Sequence, residues 1–336
     1  MNTPPKDISV SVFARTDTGM QRAGNEDAFL VADLTTGNVG LGAKMSTHRV
    51  GSRGSLMVVS DGMGGAAAGE IASAMAVKTI REALMEDSPE TAICGRLQLA
   101  TERANDRIWK YANEHRQFMG MGATLTAVLV LDTSAYIAQV GDSRGYLIRG
   151  DQVKQLTKDQ SLVQLLLDSG AIRQNQINSV PQNVIMQALG TSATVEVAMA
   201  TVELCKDDLL VACTDGLSNK VTAEEIGETL RGAESLNAGC RRLVEMANER
   251  GGEDNITLIA ARFDGEALHS AAQTNSITGS FKVLSQGCFD GDLLEAGSKY
   301  ISGESKAPDV TTAVLGALPP PEAKPARSKD KTTDKK

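Results

Sequence analysis

Five aspartates in this 336-residue chain stand where an apolar run begins or ends. Asp27 precedes the run 28–32, Asp61 follows 56–59, Asp142 separates 135–140 from 145–149, Asp215 follows 208–213, and Asp254 precedes 256–263. Runs of four to nine aliphatic and β-branched residues read as buried strands. Aspartate is disfavoured inside such strands, and glycine, which lies beside or within two positions of four of the five, lets the chain turn sharply with φ > 0. Glu26 adds a sixth acid next to Asp27. Taken singly, each Asp-Gly or Gly-Asp is also an ordinary solvated turn. A fold that collects several of them at one edge of its sheets has to deal with their charge.

Composition narrows what such a site can be. The chain is 41% apolar, enough for a proper core, but only 3% aromatic, so that core is aliphatic. A formal charge of -8 argues against a general nucleic-acid binder and agrees with a site built of carboxylates. The five cysteines are scattered, with no CxxC pair, as reduced thiols are. His48, His115 and His269 show no metal-ligand spacing, so a metal here would be held by oxygen. Residues 1–7 have no apolar stretch of a signal peptide, and no run approaches the roughly 18 residues of a membrane span, which leads to the expectation of a cytoplasmic protein without a membrane partner.

Along the chain, Ile8, Val10, Val12 and Ala14 alternate with polar residues as in a half-buried strand, and 35–55 reads as a long exposed loop made positive by Lys44, His48, Arg49 and Arg53. Ile71, Met75, Ile80 and Leu84 mark one helix face, and Leu97, Ala100, Ala104, Ile108 and Tyr111 a second. The runs 123–131, 135–140 and 145–149 follow with short joints, which predicts antiparallel neighbours. Residues 158–182 form a polar excursion with a short helix over 161–169. Two more helices are expected, one from Thr222 with Glu225 completing a capping box and one through Leu236, Cys240, Leu243 and Ala247. The whole is α+β, antiparallel sheet with helices packed outside. Beyond Asp264 no periodicity survives; 264–302 is an extension without a structural signature, and 303–336, rich in proline and lysine, reads as a disordered tail.

Acids gathered at a sheet edge repel one another unless cations join them. Oxygen ligands of this kind suit Mg²⁺ or Mn²⁺, and two such ions about 3.5–4 Å apart can share a water and hold a phosphoryl oxygen. Arg22 would supply a bidentate phosphate clamp.

Six blocks, Arg22-Ala23-Gly24-Asn25-Glu26-Asp27, Val59-Ser60-Asp61-Gly62-Met63-Gly64-Gly65, Gly122-Ala123-Thr124-Leu125, Gly141-Asp142-Ser143-Arg144, Thr214-Asp215-Gly216-Leu217 and Glu253-Asp254-Asn255-Ile256-Thr257, resemble in content and order those of the bacterial PP2C (PPM) metal-dependent protein phosphatases. The resemblance spans 8–263. It implies a four-layer α/β/β/α sandwich with two Mn²⁺ or Mg²⁺ ions at one end and a weaker third. By position it makes Asp61 the acid touching both metals, Gly62 a carbonyl ligand, Glu26 and Asp27 the acids of the second metal, Asp215 and Asp254 those of the first, and Asp142, with Asp215, the holder of the third. The segment 158–182 resembles the family's flap. The implied reaction is hydrolysis of phosphoserine and phosphothreonine by direct attack of a metal-bridging water, acting on phosphorylated proteins, a Ser/Thr kinase and its substrates among them. Two other readings are a phosphatase for an anti-anti-sigma-type regulator and a scaffold that has kept the fold without activity. Where eukaryotic members have a histidine as general acid, this chain has Met63, which cannot donate a proton. Asn255 and Asn25 are candidate hydrogen-bonding supports for the ligands.

Overall fold

A computed structural model of the chain describes residues 7–42, 44–64, 67–86, 92–270 and 277–284. The expected tail at 303–336 lies outside the described residues. The first half runs β1 (Ser9–Asp17), β2 (Asp27–Asp33), β3 (Ser46–Arg49), β4 (Ser55–Met63), α1 (Ala68–Glu86) and α2 (Ile93–Glu114). Then come β5 (Gly122–Ala123), β6 (Leu125–Leu131), β7 (Ser134–Val140), β8 (Arg144–Arg149) and β9 (Gln152–Gln155). The second half runs α3 (Leu162–Asp168), β10 (Ala198–Glu203), β11 (Leu209–Cys213), α4 (Asp215–Ser218), α5 (Ala223–Gly232), α6 (Leu236–Glu249) and β12 (Ile256–Asp264). It closes with α7 (Ile277–Ser280) and β13 (Phe281–Leu284).

Two antiparallel sheets result. One has the order β3-β1-β12-β11-β8-β9, the other β13-β10-β7-β6-β4-β2 with β5 beside β4. Both faces of each sheet are covered, and the side chains say so residue by residue. In β4, Leu56 and Val58 pack under α1 and α2, while Met57 and Val59 face the opposite sheet. In β11, Leu210 and Ala212 meet that inter-sheet core, and Val211 and Cys213 pack under α5 and α6. Successive side chains in a strand point to opposite faces, so a strand covered on both sides has no solvent face to keep polar. This is why the strands read as continuous aliphatic runs although the sheets are antiparallel. The layers are helices, sheet, sheet, helices, as expected.

Several local expectations need correction. The runs 135–140 and 145–149 are not sheet neighbours: β7 pairs with β6 and β10, whereas β8 pairs with β11 and β9 in the other sheet. The joint between them is a crossing, with Gly141 at φ +96°. Residues 35–55 are not simply exposed loop. They contain β3, which pairs with β1, and Arg53 turns inward to bond the carbonyls of Leu84 and Met85 at 2.9 and 2.7 Å, closing the end of α1. In α1, Ile80 and Leu84 lie on the buried face as expected, with Ala72, Ala76 and Ala83, whereas Ile71 and Met75 sit half-buried at its edge. Other readings hold. Thr222 and Glu225 make the capping box, Ser161 caps α3, and Leu236, Cys240, Leu243 and Ala247 form the buried face of α6.

Beyond Asp264, where periodicity ends, β13 pairs with β10 as a further strand. Just before it Ile277 is buried, its N–H donates to Gln152 Oε1 on β9, and Lys154 Nζ lies 4.3 Å from the Phe281 ring centre. Ser280 Oγ is 3.0 Å from Nη1 of Arg149, whose other nitrogens grip the carboxylate of Asp208 at 2.7 and 2.8 Å, all buried. The segment thus spans an edge of both sheets. Burying one Ile contributes about 1.5–3 kcal/mol and a hydrogen bond to a charged group a similar amount. A chain ending at 270 is therefore expected to be about 3 kcal/mol less stable than one ending at 303, measured by urea unfolding. Equal midpoints would show that 277–284 only rests on the sandwich.

Candidate metal centre

Strand register alone brings the acids to one end. Asp27 and Asp61 are Cα partners across β2 and β4. In the other sheet Cys213 pairs with Arg144 and with Leu258, so the end of β11 before Asp215, the start of β8 after Asp142 and the start of β12 after Asp254 coincide. The two sheet ends are tied together. Thr214 Oγ1 donates to Asp27 Oδ2 at 2.9 Å, and the chain crosses between the sheets at Asp142 itself. Asp61 and Gly62 lie within β4, whose pairing runs on to Met63, rather than in a turn after it.

Close backbone approach sets the second side of the site. A Cβ on Gly62 would stand 2.0 Å from the Gly69 carbonyl oxygen, and one on Gly69 would stand 2.6 Å from Glu26 Oε2. Only glycines let the start of α1 lie this near β4 with the Glu26 carboxylate over it. Gly62 N–H and Ser73 Oγ both donate to the Glu26 carbonyl, at 3.2 and 2.6 Å, which fixes Glu26 from behind. Asn255, fully wrapped, accepts from Glu26 N–H at 2.8 Å and donates to the carbonyls of Thr18 and Gly24 at 2.9 Å each. It pins the loop that carries Arg22. Asn25 supports Asp27 N–H and bonds Thr16. Arg22 reaches Asp254 Oδ2 at 2.8 Å and the Glu253 carbonyl at 3.3 Å, with half its side chain open to solvent.

Further supports come from residues to which the sequence reading gave no role, some of them inside its motif blocks. Thr124 Oγ1 accepts from Asp61 N–H at 3.0 Å and meets Ser143 Oγ at 2.5 Å. Gln139 holds the carbonyls of Gly141 and Ser143, and Gln160 Oε1 takes Gly141 N–H at 2.7 Å. Arg144 forms a bidentate pair with Asp159 at the start of the polar excursion. Buried polar residues in or beside otherwise apolar strands, Thr124 between β5 and β6, Thr126 in β6 and Gln139 in β7, are the clue that would have found them.

The electrostatics are those of acids short of positive charge. Burial pushes Asp27 and Asp142 up to about 7, with neighbouring carboxylates adding to it, and holds Asp61 well above the usual range; Asp215 and Glu26 are raised as well. No N–H or hydroxyl among the described residues reaches the buried atoms Asp27 Oδ1, Asp142 Oδ1 and Asp215 Oδ1. Nor do three such side chains converge on one point, as like charges with nothing between them do not. Unpartnered carboxylate oxygens around a shared mouth fit hard divalent cations with oxygen ligands and do not fit zinc or copper.

A double antiparallel sheet with helices outside and an oxygen-rich mouth beside an arginine has the layout of a metal-dependent phosphoester hydrolase. Comparison with known proteins narrows this. Residues 44–257 match the protein phosphatase 2C family model. The serine/threonine phosphatase Stp of Listeria innocua is 38% identical over 208 residues, 61% of this chain and 82% of that protein. Among solved structures, Stp1 from Staphylococcus aureus has TM-score 0.67 and 30% identity, covering 76% of this chain and 95% of its own. The catalytic domain of PstP in complex with two manganese ions has TM-score 0.63 and 32% identity over 76% and 99%. The chain belongs to the protein phosphatase 2C family and is a serine/threonine protein phosphatase of its bacterial type. No helix among the described residues is long and apolar enough to cross a membrane.

Replacing Asn255 by alanine leaves Glu26 N–H buried without an acceptor, which costs about 1–3 kcal/mol. Turnover is expected to fall further than that stability loss explains, because the Arg22 and Glu26 loop is released. Melting and kcat/KM measured together check this; unchanged kcat/KM would remove Asn255 from the supports.

Proposed function

We propose that this phosphatase holds two Mn²⁺ or Mg²⁺ ions through Glu26, Asp27, Asp61, Asp215, Asp254 and the Gly62 carbonyl, and a weaker third at Asp142 with Asp215. The observation that carries this reading is the set of unpartnered inner oxygens on Asp27, Asp142 and Asp215. The bound cations would supply an activated water and neutralise phosphoryl oxygens. Thr124 and Thr214 hold Asp61 and Asp27 in place from within the sheets, and Gln139 and Gln160 hold the crossing that carries Asp142. Arg22 keeps one face toward Asp254 and the rest at the mouth, where its guanidinium can take two oxygens of a phosphoserine or phosphothreonine. Met63, opposite Gly122, offers the leaving oxygen no proton. The substrates are phosphorylated proteins of the cytoplasm, with a Ser/Thr kinase of the same cell and its targets first among them. The complete acid set speaks against an inactive scaffold.

Exhaustive chelation is expected to abolish hydrolysis of phosphothreonine peptide and aryl phosphate alike, and Mn²⁺ to restore it. Peptide hydrolysis that survives chelation would end the two-ion reading. Arg22→Ala should lower kcat/KM by roughly 10- to 100-fold, mostly through KM, as the loss of a charge-assisted hydrogen bond of about 1.5–3 kcal/mol implies. An unchanged KM would take the phosphate clamp away from Arg22.

A further inference from the structure

Between α1 and α2 the outer helical layer opens into a groove of about 480 Å³. Its apolar lining is Ile71, Met75 and Tyr111, each half-buried, because α1 buries its alanine stripe and leaves the bulkier pair at the edge. Tyr111 stacks on His115 with ring centres 4.1 Å apart and lies 5.6 Å from Phe118. In a chain with 3% aromatics, a partly exposed ring cluster of this kind stands out, and such rings favour contact surfaces. Two of the cations and anions on the walls satisfy one another: Arg107 is held by Glu82 at 2.7 Å and Lys110 by Asp106 at 2.8 Å. Glu114 on the wall and Glu70 at the near end have no ion pair among the described residues.

The groove runs on from the catalytic end. Ile71 follows Gly69 and Glu70, and the Glu26 carboxylate occupies the space that a side chain on Gly69 would take. On the other side Phe118 leads through Met119, 69% exposed, to Gly122, the Cα partner of Met63. From Gly69 to Met75 the helix rises about 9 Å, which an extended chain covers in about three residues.

We propose that this groove is a docking subsite for the substrate chain, taking an apolar side chain about three to five residues from the phosphorylated residue, with a lysine or arginine beside it facing Glu70 or Glu114. The proposal rests on the phosphatase activity and deepens it: the phosphate is held by the acid end, the flanking sequence by α1 and α2. Ile71, Met75 and Tyr111 are specificity residues here, remote from the reacting atoms.

A panel of phosphothreonine peptides in which one Leu-Lys pair is walked from five residues before to five after the phosphothreonine, in a Ser-Gly background, tests it. One side of the panel is expected to show a maximum in kcat/KM at three to five residues, at least tenfold above the background peptide. Met75→Glu should flatten that maximum. Glu114→Lys, a change on an exposed side chain that the fold tolerates, should lower it and favour a Leu-Glu pair instead. Aryl phosphate, which reaches only the acid end, should be hydrolysed within twofold of wild type by both variants. A flat panel with wild-type enzyme, or a maximum that both variants keep, overturns the docking subsite. Failure of the wild type to hydrolyse any substrate with Mn²⁺ present would strike the phosphatase reading instead. If Met75→Glu does not fold, the charge preference of Glu114→Lys decides alone.

Discussion

Repulsion among carboxylates is the constraint on which this structure turns. Acids from both sheets gather at one end of the sandwich, and the cations beside them are already engaged: Arg22, half in solvent, with Asp254, and Arg144, which acts on Asp142 and Asp215, with Asp159. Burial raises the proton affinity of Asp61, Asp27, Asp142 and Asp215, and one oxygen each of Asp27, Asp142 and Asp215 has no donor among the described residues. Such an arrangement costs stability in the metal-free chain, and the rest of the sandwich has to hold it. Strand pairing does most of this, since the acids sit on or directly beside antiparallel ladders that run into the apolar core.

The supports are built so that no added cation is needed inside. Hydroxyls and amides of Thr124, Thr214, Asn255, Gln139 and Gln160 fix backbone and one carboxylate oxygen, and leave the outer charge uncompensated. Arg144, whose charge still reaches Asp142 and Asp215, is bonded to Asp159 at the start of the polar excursion. A fold that neutralised its own acids would have no use for divalent ions. This one keeps the vacancy of charge and spends its hydrogen bonds on geometry.

Much of this was legible because the period of two and the position of aspartate are local properties. An aliphatic run ending in Asp-Gly, as at Asp61-Gly62 and Asp215-Gly216, marks both a strand and the acid at its end, and six motif blocks in order carried the architecture. What sequence alone missed is non-local. Nothing in 135–149 says that the chain leaves one sheet for the other at Gly141, since a tight hairpin has the same composition. The roles of Thr124 and Thr214 depend on which strand lies opposite, and Arg53 looked like loop charge until the end of α1 was seen beneath it. β13 escaped because four residues after an irregular stretch hold no period long enough to read, and its pairing with β10 is settled by Ile277 and Ser280 on the other sheet's edge.

An acid end strained by its own charge is one that divalent cations would relieve. Thermal unfolding of metal-free wild type and of Asp61→Asn, an isosteric change that removes one charge, tests it most directly, each melted again with Mn²⁺. The account predicts that the metal-free variant melts above the metal-free wild type, and that Mn²⁺ raises the melting temperature of wild type strongly and of the variant little. A metal-free variant that melts below wild type, together with a wild type indifferent to Mn²⁺, would contradict it.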